Sequence, residues 1–175
     1  MKFGLKILLL ITACISGTSL SVSTSTSLIK KMDKLLQQAN DKTINWNDVQ
    51  ELGCQFRRVI NTQGTNNMTL LMYAAQEANI QIVKHLVEDL GANIKPRSSD
   101  LDWNTIMYAI AANQFKNAEY LLSKEPTFKC SKMSLRSTTE GPCTSPPYTY
   151  TLYEFAVFHN GPKKFVKMLK EANCK

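Results

Sequence analysis

Apolar residues recur along most of the chain at helical spacing, in pairs of short runs separated by polar breaks. Between Thr69 and Ile94 (TLLMYAAQEANIQIVKHLVEDLGANI), Leu70, Leu71, Met72, Ala74 and Ala75 come first and Asn79 interrupts. Ile80, Ile82, Val83, Leu86, Val87 and Leu90 then follow, before Gly91, Ala92 and Asn93. That order predicts two short antiparallel helices, with Ala92 and Asn93 turning the chain out of the second. The alanine pair keeps the first helix thin enough for a neighbour to lie close. One such unit cannot bury its own apolar faces, so it requires others stacked beside it.

Those others are present. Met107-Tyr108-Ala109 repeats Met72-Tyr73-Ala74 at an offset of 35 residues, with Glu119, Leu121 and Leu122 in register with Lys84, Leu86 and Val87. A third copy starts at Thr151. Ala156 and Val157 take the alanine places, Phe165 the place of Val83, and Met168 and Leu169 the Leu86–Val87 places. Roughly a dozen extra residues separate the second and third copies, judged against the spacing of the first two. Upstream, Leu28, Met32, Leu35, Leu36 and Ala39 mark one helix. Val49, Leu52, Phe56, Val59 and Ile60 mark another, with Asn47 or Asp48 at its N-cap. This first pair reads as an atypical hairpin that caps the stack. The expected fold is an all-α solenoid of three to four helical hairpins over residues 28–175, with one inserted loop.

The Thr69–Ile94 unit resembles an ankyrin repeat. Thr69, Leu71, Ala74, Ala75, Val83, Leu86, Val87, Gly91, Ala92, Asn93 and Ile94 fall where the family pattern wants them. Leu70 replaces the family's Pro and Met72 its His, which weakens the helix start and the hydrogen bond that His makes between repeats. The resemblance implies a protein-binding stack that uses its turn tips and the exposed positions of each first helix. In register, the tip column is Met68, Trp103 and Tyr150. The exposed pairs are Gln76–Glu77, Ala111–Ala112 and Phe158–His159. These residues, with Tyr148 beside the row, are the expected partner surface. A second column, Tyr73, Tyr108 and Phe155, is expected to pack between repeats. Trp103 has two readings, an exposed anchor or a ring folded over the next repeat.

The start of the chain reads as an export signal. Lys2 and Lys6 precede Ile7–Ile11, an apolar run far shorter than the roughly 20 residues that span a membrane. Ile11-Thr12-Ala13-Cys14 resembles a bacterial lipobox, which implies a signal peptide over residues 1–13 and lipidation of Cys14. The alternative is an ordinary secretory signal cleaved near Gly17–Ser21. Residues 14–27 are Ser/Thr-rich and are expected to form a flexible tether. The expected place is the periplasmic side of an outer membrane, or outside the cell. Cysteine use agrees with export: Cys130 and Cys143 bracket the insertion, and a bridge there would add about 3 kcal/mol in the chain-entropy account. Cys130–Cys174 is the rival pairing, because register places Cys174 beside Thr127. Cys54–Cys174 is not expected, since the two belong to opposite ends of the stack.

Composition and charge change this picture little. Seven glycines in 175 residues leave no sign of regularly spaced β turns. The formal charge of +7 is scattered, except for Lys163, Lys164, Lys167 and Lys170 on the last helix. Those lysines alternate with Phe165, Val166, Met168 and Leu169, as on a solvated helix face, and could also meet an acidic partner or a phospholipid surface. No C-x-x-C pair exists, and His85 and His159 are the only histidines, so no metal or cofactor is expected. Nucleophile elbows, phosphate loops and zinc-protease motifs are absent. The leading expectation is a monomeric, non-catalytic module for a protein partner, with no nucleic acid. The alternatives are an immunity or inhibitor protein whose insertion plugs a toxin, and a thiol-redox or hydrolytic enzyme with a reactive cysteine. If Cys14 is lipidated, fatty-acid labelling marks the protein and Cys14→Ser leaves an unlabelled precursor. N-terminal sequencing that begins at or after Ile15, without label, removes lipidation and leaves export standing.

Overall fold

The apolar stripes fold as stacked helical hairpins. The structure is a computed structural model that describes residues 22–130, 132–134 and 149–172. Helix α1 (Val22–Asn40) buries Met32, Leu35, Leu36 and Ala39. It starts ahead of the expected Leu28, so residues 22–27 are helix and not tether. Once the buried face has nucleated the helix, each added residue gains a bond, and Ser or Thr there costs well under about 1 kcal/mol.

The second helix of this unit departs from expectation. Helix α2 covers only Trp46–Gln50, and its N-cap is Asn45, whose side chain accepts from Asn47 N at 3.1 Å. Gly53 in extended backbone (φ −83°, ψ 173°) interrupts the ladder, and Cys54–Arg58 resumes as a 3₁₀ turn. The apolar spacing still works, because Val49, Leu52, Phe56 and Ile60 all reach the core.

Three regular hairpins follow. The first is α3 (Leu70–Glu77) with α4 (Ile80–Lys84), which runs on as a π-helical turn, His85–Asp89. The second is α5 (Thr105–Ala111) with α6 (Phe115–Lys124), and the third α7 (Leu152–Phe158) with α8 (Lys163–Lys170). Side-chain caps start the first helices. Thr69 Oγ1 accepts from Met72 N at 3.3 Å, and Asn104 Oδ1 accepts from Ile106 N and Met107 N at 3.0 and 3.1 Å. Asn79 does the same for α4, taking Gln81 N and Ile82 N. The chain leaves the α4 segment through Gly91 and not through Ala92–Asn93. Gly91 has φ +72°, a left-handed position that glycine adopts without steric cost, and Ala92 N closes the turn on Leu86 O at 2.8 Å.

Helix α3 packs on α5, and α5 on α7. The alanines of the pattern, Ala74, Ala75, Ala109 and Ala156, are fully buried along this line, and Tyr73, Tyr108 and Phe155 are buried as expected. Polar ties cross between repeats. Asn117, buried on α6, donates to Ala75 O at 3.3 Å and Ala78 O at 3.0 Å, satisfying carbonyls at the end of α3. His85 is half-buried. Its Nε2 reaches Leu52 O at 3.1 Å and its Nδ1 reaches Asp89 Oδ2 at 2.8 Å, which ties α4 to the irregular unit. The aromatic pair Phe115–Phe165, 5.5 Å between ring centres, joins α6 to α8.

A two-stranded antiparallel ribbon, β1 (Lys132–Ser134) with β2 (Thr149–Thr151), stands at the base of the insertion, pairing Met133 with Tyr150. Cys54 and Cys130 are both disulfide-bonded. Cys14, Cys143 and Cys174 lie outside the described residues, and the expected Cys130–Cys143 staple with them. Among the described residues no helix is long and apolar enough to cross a membrane.

Asn117→Leu keeps the volume but leaves two buried carbonyls without a donor, so it should cost about 1–3 kcal/mol in chemical denaturation. A loss below about 0.5 kcal/mol would show the bridge to be dispensable.

Candidate interaction surface

The ends of α5 and α7 hold the candidate site. Trp103 lies just before α5 in a loop closed by four bonds. Ser98 N donates to Trp103 O at 2.9 Å, and Trp103 N donates to Ser98 Oγ at 3.3 Å. Arg97 Nη1 reaches Asp102 O at 2.8 Å and Asp102 Oδ2 at 3.2 Å. So held, the indole packs edge-on against Tyr108 of its own repeat and Phe155 of the next, at 5.4 and 5.1 Å between ring centres. Of the two readings of Trp103, the ring folded over the next repeat is the one observed, and its remaining surface faces a cleft.

Helix α7 supplies the opposite wall. A capping box fixes its start: Glu154 N donates to Thr151 Oγ1 at 3.2 Å, and Thr151 N donates to Glu154 Oε2 at 2.7 Å. These bonds hold the Glu154 carboxyl below the usual carboxylate range. The helix then turns Phe155 inward and leaves Phe158 exposed, at 76%. His159 stacks on both, at 4.5 Å from Phe155 and 5.2 Å from Phe158. Burial pushes the His159 imidazole below its ordinary value of 6.5, so the ring is neutral at pH 7. Together Trp103, Tyr150, Phe155, Phe158 and His159 line a cavity of about 260 Å³. Every wall residue carries a ring, and none carries a charge at neutral pH.

A second, polar depression of about 170 Å³ lies between the end of α1 and the first two regular repeats. Its lining includes Asn40, Lys42, Asn66, Gln76, Glu77 and Asp100. Tyr73 OH donates to Asn40 Oδ1 at 3.3 Å and Tyr108 OH to Asp100 Oδ1 at 3.4 Å. Burial, with the carboxylates of Asp100, Asp41 and Glu77, raises the Tyr73 phenol, and burial pushes Tyr108 up to about 12. Both phenols therefore remain donors. Tyr108 lines this depression and also stacks on Trp103, so the two concavities are neighbours.

The expected partner residues thus divide. Trp103, Tyr150, Phe158 and His159 converge on the aromatic cleft, and Gln76 and Glu77 open onto the polar depression. Met68 is a correction: it is buried, at 6% exposure, and forms the wall of the polar depression beneath Tyr73 and Tyr108. The chain folds back ahead of Thr69, where Gly64 N bonds Met68 O at 2.8 Å, and this carries an apolar side chain inward. Ala112 lines neither concavity. It is half-buried and serves as the C-cap of α5, its N–H reaching Tyr108 O. Tyr148 lies outside the described residues. Phe155, expected only to pack, also walls the cleft. Asn40 is the last residue of α1, and Lys42 and Asp100 come from connecting segments; none of the three carries a repeat register. Among the described residues no group of three or more His, Cys, Asp or Glu side chains is placed to hold a metal.

Residues 35–133 match the family described as ankyrin repeats (3 copies). The chain belongs to the ankyrin-repeat family. Ankyrin repeats are protein–protein interaction modules. The match begins within α1, so it takes in the irregular first unit, whose residues do not follow the repeat pattern, and it ends in β1. The α7–α8 hairpin follows beyond the matched residues and packs on α5. No curated protein matches the chain.

Trp103 and Phe158 should behave oppositely on truncation. Trp103→Ala removes one ring contact within its repeat and one to the next and should cost about 2 kcal/mol, while Phe158→Ala should stay within about 0.5 kcal/mol. Equal costs in chemical denaturation would place both in the core. For His159 the folded value lies below the unfolded one, so the unfolded chain binds more protons in the window between them. Its stabilising effect is complete above 6.5 and is lost as pH falls below it. Melting temperature should drop between about pH 7.5 and 5.5 more steeply in the wild type than in His159→Gln. Parallel profiles would show that His159 is not held neutral.

Proposed function

We propose that the chain is an exported, non-catalytic ankyrin module that holds a segment of a protein partner in the aromatic cleft between its second and third regular hairpins. The observation that carries this reading is the convergence of Trp103, Tyr150, Phe158 and His159, from two repeats and the ribbon, on one uncharged cavity. Phe158 leaves most of its ring in water, and a partner that covers it recovers about 25 cal/mol for each Å² of apolar surface removed. Interfaces concentrate their energy in such aromatic clusters.

Export is part of the proposal. It is supported by the Lys2–Lys6 start, the short apolar run Ile7–Ile11 and the lipobox-like Ile11–Cys14. Disulfide-bonded Cys54 and Cys130 fit an oxidising compartment, and a Cys130–Cys143 staple would order the insertion beside Tyr150. The test is chemical cross-linking of the tagged full chain in its own cells. Wild type should yield a defined cross-linked protein, and Tyr150→Ala/Phe158→Ala should lose it while the chain accumulates normally. Cross-linking that survives the double substitution would move the partner to another face.

A further inference from the structure

We infer that the partner segment is acidic as well as apolar: one large apolar side chain enters the cleft, and neighbouring carboxylates lie on the lysine face of α8. This rests on the cleft being the partner site. The cleft itself selects against charge, since its five walls are rings and burial keeps His159 neutral. Charge recognition must therefore come from beside it.

Helix α8 supplies that charge. It begins after the tight turn His159–Pro162, where Gly161 N bonds Ala156 O at 2.8 Å, so its first lysine follows Phe158 by one turn of chain. Phe165 and Leu169 are buried, while Lys163, Lys164, Lys167 and Lys170 are exposed. Elsewhere Lys95, Arg97 and Lys124 are paired with Glu125, Asp102 and Glu88. On α8, among the described residues, only Lys167 has a carboxylate near, that of Glu171 at 3.7 Å in a well-exposed pair. Exposed pairs of this kind contribute little. Four exposed cations on one helix, only one of them beside a carboxylate, give a field that steers anionic groups and sets specificity. An apolar pocket followed immediately by such a field is complementary to a segment with an apolar anchor and flanking Asp or Glu.

A random peptide library displayed on phage, selected on the purified exported protein, tests this whatever the partner is. Recovered peptides should share a large apolar residue flanked by acids. Their binding should fall roughly tenfold in Lys163→Glu/Lys164→Glu and weaken as salt rises. An unchanged melting temperature in that variant shows that folding is intact. Peptides that need Phe158 but carry no excess of acid, and bind the charge-reversed variant equally, overturn this inference and leave the cleft reading standing. Failure to recover any peptide sensitive to Tyr150→Ala/Phe158→Ala overturns both. Lysine-dependent sedimentation with phosphatidylserine vesicles, in the absence of acidic peptides, assigns the face to lipid and overturns the inference as well.

Discussion

A helical hairpin of about twenty-five residues has two apolar faces and can cover neither alone. In this chain the cover is another hairpin, and the distance of approach is set by alanine. Ala74 and Ala75 on α3, Ala109 on α5 and Ala156 on α7 leave no side-chain bulk along the line where first helices stack. Close stacking brings each second helix within hydrogen-bonding reach of the repeat before it, which is how Asn117 finds Ala75 and Ala78. It also aligns the starts and ends of the first helices in one row. The aromatic cleft exists because that row puts Trp103 of one repeat against Phe155 of the next. A larger residue at the alanine places would part the helices and open the cleft from below.

How much of this is legible in the sequence depends on whether a residue's environment follows from helical period. The regular hairpins follow it. Leu71, Ala74, Val83, Leu86, Met107 and Leu121 are buried where spacing alone puts them. Trp103, Tyr150, Phe158 and His159 come from register alone, and they meet in space because register is geometry in a solenoid. Period fails where backbone is irregular. The extended Gly53 breaks an apolar stripe that still reads as one helix, and Met68 turns inward because the chain before Thr69 folds back. His85 offers no signal: its partner Leu52 O is a main-chain atom on a segment with no repeat pattern. The polar depression escapes for the same reason, since Asn40 ends the irregular α1 and Lys42, Asn66 and Asp100 sit on connections.

The two concavities differ in what they ask of a visitor. The polar one surrounds two buried phenols with Asp100, Glu77 and Lys42, groups that bond readily to one another or to water. Exchanging such bonds for others yields little net free energy. The aromatic one is walled mostly by ring faces, so a visitor there gains chiefly from burial, and the rings decide its shape more than its orientation. Tyr108 joins them, with its hydroxyl facing one and its ring facing Trp103 beside the other.

The cleft's far wall belongs to α7, and among the described residues the hairpin that carries it is held to the rest of the stack through α5 and α6. Units held by few contacts open locally at a lower free energy than the densely packed parts of a fold. Anything that binds only the closed hairpin raises that opening free energy by RT ln(1 + c/Kd), where c is its free concentration. A cleft occupant spanning Trp103 and Phe158 therefore doubles as a brace, and the α7–α8 hairpin is most ordered when the cleft is full. Amide exchange along α7 and α8 thereby becomes a gauge of occupancy, slow when the cleft is filled and fast when it is empty.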